Sequence, residues 1–450
     1  MPIVFFQFGV NLIPIVLQTG EKKHLSFASL IEFLSDLYLK VKDHRDPTKV
    51  EHSIRDTAMS AVAMMHFQST SVLHFQRQLE EENRRSNLST IFGVDKVPSD
   101  TQMREVLDEV PSETARPAFR KYFSWLQRGK YLEQFQIFPG QYLCSIDGSQ
   151  YFGSDKISCP HCLIREHKSG KTSYSHLILQ AAIVHPTQKQ VIPLMPEEVC
   201  NEDGMTKQDC EINAAKRMLP KIRKEHPFLE LIINGDGLYS KQPMFELLKE
   251  LKMHGIFVAK EDDHKILFEW VSEQKKLGEV TTHEVVDAKL RRHRYEWINS
   301  VPLNGRPDSV LVNFFRYQLI VDGEITYKGA WVTDLEVTKQ NVQTMVSGAR
   351  ARWKIENECF NTLKNQGYSL EHNFGHGQKN LSFNFFLFNL LAFFIHQILE
   401  LTDGLYQRCR QQYGSKKHLW ENLRSFFGFF IFESWEHLLK VILKEEPRPG

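Results

Sequence analysis

The sequence predicts an α/β protein with a helical N-terminal region, a mixed α/β core interrupted by a β-rich insertion, and a helical C-terminal region. Three observations carry that expectation. Apolar residues recur every three or four positions from His24 to about Phe135. Short β-like runs alternate with helical stretches after Pro139 and Gly140. Between Lys265 and about Thr333 the helical period gives way to alternation around the turn signals Asn304-Gly305 and Asp322-Gly323. These changes divide the 450 residues into 1–135, 136–264 together with 334–405, 265–333, and 406–450. Chains beyond ~250–300 residues ordinarily divide in this way, and this one can bury a sizeable core.

Each element has its own signal. In the first region the helical stripes are Leu30, Phe33, Leu34 and Leu37, then Met59, Val62, Ala63 and Phe67, then Met103, Val106, Leu107 and Val110. Pro98-Ser99-Asp100 reads as an N-cap, so a helix starts there with Arg104 in its first turns, available to a phosphate; an ordinary capped helix fits equally. The opening run from Met1 to Leu17 is apolar, but it lacks a basic leader, is broken by Pro14 and has no small-residue cleavage site, which favours a packed segment. In the core, Gln141–Ile146, Tyr174–Val184, Leu229–Asn234 and Ile256–Ala259 read as strands, with helices over Ala214–Lys224 and Met244–Met253. In the insertion, Leu311–Val321 and Ile325–Val332 are strands. Leu381–Leu401 is long and apolar, but Asn384, Asn389, His396 and Gln397 are costly in lipid and easily satisfied inside a protein, so a buried helix is expected. The Phe426–Phe432 run is expected to pack on the α/β layer.

Composition excludes little beyond disorder, collagen and a membrane bundle: 42% of residues are apolar and 25% charged. Lys plus Arg number 56 against 55 Asp plus Glu, so any nucleic-acid binding must rest on local patches. Seven cysteines, an odd number without secretory context, fit reduced thiols in a cytoplasm.

Several groups could carry chemistry. Asp147 and Asp236 each end a strand beside glycine, offering hard oxygen ligands with room for waters and phosphates, although Asp-Gly is also a common turn. On the predicted helix from Arg350 to Lys364, Arg352 and Glu356 share a face while Glu358 points elsewhere. Lys289, Arg291, Arg292 and Arg294, followed by Tyr295 and Trp297, form a basic stretch with aromatic neighbours, a pattern suited to distorted or single-stranded DNA. Cys159-Pro-His-Cys162, with His167 and His176 following, could hold a structural zinc, or be a loop of free thiols.

Taken together, Ser145-Ile-Asp147-Gly, Ile233-Asn-Gly-Asp236-Gly-Leu-Tyr239, Trp331-Val-Thr-Asp334 and Arg352-Trp-Lys-Ile-Glu356 resemble the bacterial insertion-sequence DDE transposases marked by a Tyr-Arg-Glu-Lys signature. The likeness spans about Cys144 to Phe394, with the acids 89 and 120 residues apart. It implies an RNase H-like catalytic core in which Asp147, Asp236 and Glu356 hold two Mg²⁺ ions, replaceable by Mn²⁺. It also implies metal-dependent cleavage and strand transfer of double-stranded DNA at terminal inverted repeats and target sites, by a homodimer in the bacterial nucleoid, with no membrane partner. Arg352, Lys364, Arg350, Arg291 and Arg292 are then DNA contacts, and Trp297 a candidate to hold a flipped base. Two rivals remain: an inactive or domesticated repressor of the same family, and a nuclease that hydrolyses without joining. The chain departs from the signature at Ala349, where Tyr stands in the family, and at Leu363, where Lys stands; Lys364 comes one residue late. Either the helix carries a local irregularity, or Glu358 is the acid.

Overall fold

The computed structural model describes residues 23–43, 45–69, 72, 73, 75, 82–200 and 210–449. The Met1–Leu17 run therefore lies outside the described residues. Serines cap the first helices by accepting backbone amides that have no partner within the helix. Ser26 caps α1 (Phe27–Leu39), Ser53 caps α2 (Ile54–His66), and, after α3 (Glu82–Phe92), Ser99 caps α4 (Asp100–Glu109) in a capping box with Gln102. Arg104 is not left for a phosphate: its guanidinium donates to Asp100 and to the Phe374 carbonyl. Helix α5 (Arg116–Arg128) completes this group.

Twelve strands among the described residues form one mixed sheet. They are β1 (Gln136–Phe138), β2 (Gln141–Ser154), β3 (Leu163–Glu166), β4 (Thr172–Val184), β5 (Ile192–Pro193), β6 (Glu197–Val199), β7 (Glu230–Gly235), β8 (His254–Val258), β9 (Thr281–Val286), β10 (Arg292–Pro302), β11 (Leu311–Val321) and β12 (Glu324–Thr333). The main path runs β3-β4-β2-β7-β8-β12-β11-β10-β9. The β2–β7 and β7–β8 pairs are parallel, as crossovers through α6 (Glu211–Glu225) and α7 (Gln242–Glu250) require. Their strands read as continuous apolar runs because both faces are covered.

The insertion differs from its sequence-based expectation in two respects. It begins with a helix, α8 (Lys265–Lys276), whose buried stripe is only Leu267 and Val271, too narrow to stand out in a polar segment. Its strands also join the core sheet, because β12 pairs antiparallel with β8, Trp331 opposite Val258. The Asp322-Gly323 signal is correct: both residues take positive φ, 52° and 85°, in the tight turn between β11 and β12.

Helix α9 (Val342–Arg350) leads into a π-helical turn over Ile355–Phe360 and then α10 (Asn361–Asn365). The chain closes with α11 (Leu381–Thr402), α12 (Gly404–Tyr413), α13 (Lys416–Phe429) and α14 (Trp435–Ile442). Helix α11 is apolar enough to cross a membrane, yet 83% of its most apolar window is buried inside the protein. Its polar groups are used there: Asn384 donates to the Leu107 and Val110 carbonyls and Asn389 to that of Tyr368, while Gln397 accepts from the Val191 amide. Helices α2 and α4 pack against α11, so the first and last regions share one continuous core with the sheet. The Phe426–Phe432 run packs on the N-terminal helices rather than the α/β layer. The Phe427 ring lies 4.1 Å from that of Phe67, and Asn87 bonds the Phe427, Phe430 and Phe432 backbone.

Candidate functional site

The parallel pairing of β2 and β7 sets Ser145 opposite Asn234. Asp147 and Asp236 each stand two residues further on, so they share one level and one face; Asp236 directly follows the end of β7, whereas Asp147 does not end a strand as the sequence suggested, because β2 stays paired with β4 as far as Ser154. Asn234, fully buried, donates to the Gly348 and Ala349 carbonyls and so ties the end of α9 to β7. The chain leaving α9 then brings Arg352 and Glu356 to Asp147. Arg352 Nη1 lies 2.5 Å from Glu356 Oε1 and 3.7 Å from Asp147 Oδ2. Asp236 also accepts the Leu238 amide at 2.8 Å, which shapes the turn after β7.

The sequence reading missed a fourth carboxylate. Glu211 opens α6 and lies against Gly148, where an added Cβ would stand 2.3 Å from Glu211 Oε1. The buried Tyr239 hydroxyl donates to its other oxygen at 3.2 Å. No spacing in the chain announces Glu211, because an unpatterned segment precedes it. Burial pushes the Asp147 carboxyl up to about 7; Arg352 pulls the other way, and Glu356, Glu211 and Asp236 push it further. Burial likewise raises the Glu211 carboxyl, against the Tyr239 hydrogen bond and with Asp236.

This local excess of negative charge on hard oxygen donors suits a divalent cation such as Mg²⁺. The acids do not close into a ligand sphere, however. Among the described residues, the group compact enough for that is the Cys/His set treated below.

The π-helical turn bears on the helix register. A π turn takes one residue more than an α turn, and this one falls between Arg352 and Lys364. Glu356 lies in the field of Asp147, whereas Glu358 lies in that of Lys354, whose ammonium turns inward to the Gln188 carbonyl at 2.5 Å. Lys364 is half-buried and pairs with Glu371 at 2.9 Å. The exposed Arg350 guanidinium lies 4.5 Å from the Tyr327 ring centre and 5.5 Å from that of Tyr317.

The basic stretch of the insertion is not a bare patch. Arg291 pairs with Asp287 at 2.6 Å, and both Arg292 (3.8 Å) and Arg294 (2.5 Å) pair with Glu284. Trp297 is 5% exposed, opposite Phe315 on β11, so it is a core side chain and not a presented stacking surface. Of the proposed zinc ligands, Cys159, Cys162 and His176 come together. His167 does not: it is exposed and bonds Ser173 Oγ at 2.8 Å, and His376 occupies the fourth place. His376 lies 200 residues beyond His176, so no local motif could have found it.

No protein-family model matches this chain, and a search of curated proteins finds no match either.

Proposed function

We propose that the chain is a DDE-type transposase with an RNase H-like core that cleaves and rejoins double-stranded DNA at the ends of its own insertion sequence. One observation carries this reading: Asp147 and Asp236 at one level on adjacent parallel strands, faced by Glu356 and Arg352 from a helix tied to the same strand by Asn234. Asp147, Asp236 and Glu356 are the residues that would hold Mg²⁺, which when bound would supply activation of a water or 3′-hydroxyl and charge stabilisation of the leaving oxygen. The chain's own groups do the rest. Arg352 bridges Asp147 and Glu356 and holds the helical acid toward the strand pair. Asn234 fixes the height of the helix end above the sheet. Lys364 and Arg350, on the same segment, are cationic contacts for phosphates, acting by position and charge rather than by base recognition. Two copies, each holding one end, would assemble the reaction.

The test is excision from a plasmid carrying the gene in its native flanking DNA, wild type against Asp236→Ala. Double-strand ends and rejoined donor with wild type alone support the proposal. Absence of excision with retained binding to the flanking DNA overturns it in favour of a non-cutting repressor. Cleavage without joined products identifies a nuclease instead.

A further inference from the structure

We infer that Cys159, Cys162, His176 and His376 form a structural zinc site that clasps the loop entering α11 to the edge hairpin of the sheet. The four come from three separated segments. Cys159 and Cys162 flank a tight turn, closed by the Cys162 amide to the Cys159 carbonyl at 3.2 Å, in the connection from β2 to β3; His176 is on β4; His376 precedes α11.

The distances match a tetrahedron around one ion. Zn–S bonds of ~2.3 Å and Zn–N bonds of ~2.0–2.1 Å at tetrahedral angles require edges of ~3.8 Å between sulfurs, ~3.5 Å from sulfur to nitrogen and ~3.3 Å between nitrogens. The Cys159–Cys162 sulfurs are 3.8 Å apart. The His176 Nε2 atom lies 3.4 Å from each sulfur, Cys162 Sγ lies 3.5 Å from His376 Nε2, and the two Nε2 atoms are 3.1 Å apart. All four ligand atoms lie within 4.8 Å of one another.

The partners behind the two imidazoles also fit a metal site. His376 Nδ1 is 3.1 Å from the Gly377 carbonyl, which can only accept, so the ring proton sits there and Nε2 carries a bare lone pair. His176 Nδ1 faces the Glu198 carboxylate at 3.6 Å, and that carboxylate is itself held by the Tyr151 hydroxyl at 2.9 Å. The two Nε2 atoms close on each other across 3.1 Å, with both sulfurs around them, at a site where His176 is 3% and Cys162 1% exposed. A cation between them takes a lone pair from each of the four atoms at once, and a carbonyl and a carboxylate behind the imidazoles are the usual outer partners of zinc-bound histidines. Two thiolates and two imidazoles around Zn²⁺ make a neutral, closed set with no open position, which suits structure rather than catalysis. The Phe152 ring, 4.4 Å from that of His376, and Tyr151 beside His176 shield it.

The experiment is metal analysis of the full chain purified without chelator, with X-ray absorption at the zinc edge. The expected result is about one zinc per chain, with two sulfur and two nitrogen neighbours. His376→Gln and Cys162→Ser should each lower the content about tenfold or more, while His167→Gln should leave it unchanged. If a variant does not fold, the absorption spectrum of the wild type and loss and return of zinc on chelation and readdition decide without it. Zinc-free protein that takes up none, a Cys159–Cys162 disulfide, or full zinc content in a folded His376→Gln variant overturns the assignment.

Discussion

Asp108, on α4, accepts four backbone amides from the start of α11. Gln378 donates to Oδ2 at 2.9 Å, and Lys379, Asn380 and Leu381 donate to Oδ1 at 3.0, 3.0 and 2.9 Å. The first turn of α11 has no acidic residue of its own, so this borrowed carboxylate is both its cap and the counter-charge to its dipole. Asp108→Ala removes both. Water can replace the partner of the exposed Gln378 and Lys379 amides, whereas those of Asn380 and Leu381 are part-buried and lose about 1–2 kcal/mol each, for a total of about 2–4 kcal/mol. Asp108→Asn keeps one acceptor and should lose about half as much. Hydrogen exchange by mass spectrometry reads this directly, since 2–4 kcal/mol corresponds to about 30- to 1,000-fold faster local opening over the first turns of α11. The carboxyl carries its own pH signature. Burial raises it, but the four amides outweigh burial and hold it below the ordinary aspartate range. The cap is therefore fully present above the unfolded aspartate pKa and is lost as pH falls through the folded value. Unchanged exchange in Asp108→Ala over residues 380–384 would falsify the claim that α4 holds α11 in place.

Three further outcomes are expected. His66, held to about 3 by burial, and His396, lowered by burial and by His66, stay neutral in a chain from Tyr368. A depressed histidine stabilises above its unfolded pKa near 6.5 and loses that contribution as pH falls. Denaturation midpoints should therefore decline below about pH 6.5 with a slope of up to about 1.4 kcal/mol per pH unit per group, and His66→Leu should flatten the slope. On the proposed function, Asp147→Asn and Glu356→Gln should abolish strand cleavage while leaving end binding within about threefold, because affinity would rest on cations; an equal loss of binding refutes the division, and activity lost in Glu358→Gln but not Glu356→Gln refutes the register. Asn234→Leu removes the buried side-chain donor to the Gly348 and Ala349 carbonyls and leaves them only the backbone amides of Ala351 and Arg352, so it should cost about 0.5–1.5 kcal/mol in urea unfolding and, on the proposed function, lower cleavage with DNA affinity retained.

What was legible in the sequence followed locality. Asp236 after a strand and the Arg352–Glu356 pair could be read because a strand end beside glycine and an i, i+4 spacing are local patterns; Asp147 was found beside a glycine but not at a strand end, since β2 runs on to Ser154, and the structure adds that β2 and β7 are neighbours in register. The late Lys364 signalled an irregular helix, and a π turn is present at Ile355–Phe360. Glu211 and His376 carry no local signal because their partners are far along the chain, whereas His167 is close to Cys162 in sequence but does not join it in the structure. The burial of Trp297 and the acidic partners of Arg291 and Arg292 were hidden for a related reason. A strand's alternation tells which residues share a face, not whether that face is covered or which acids lie on the next strand.

The junction of β12 with β8 has a mechanical consequence. The segment from α8 to β12 is not a flap on a hinge but a cantilever, hydrogen-bonded to the core strands along its root. Sheets rotate by about 20–25° at each strand step, so the four steps from β8 to β9 turn the free end by about 80–100°. At that average twist the outermost strand would lie at a steep angle to the core strands. A load at its tip, near Asp287 and Arg291, would pass through the β12–β8 pairing before it reached β7 and the adjoining Asp236.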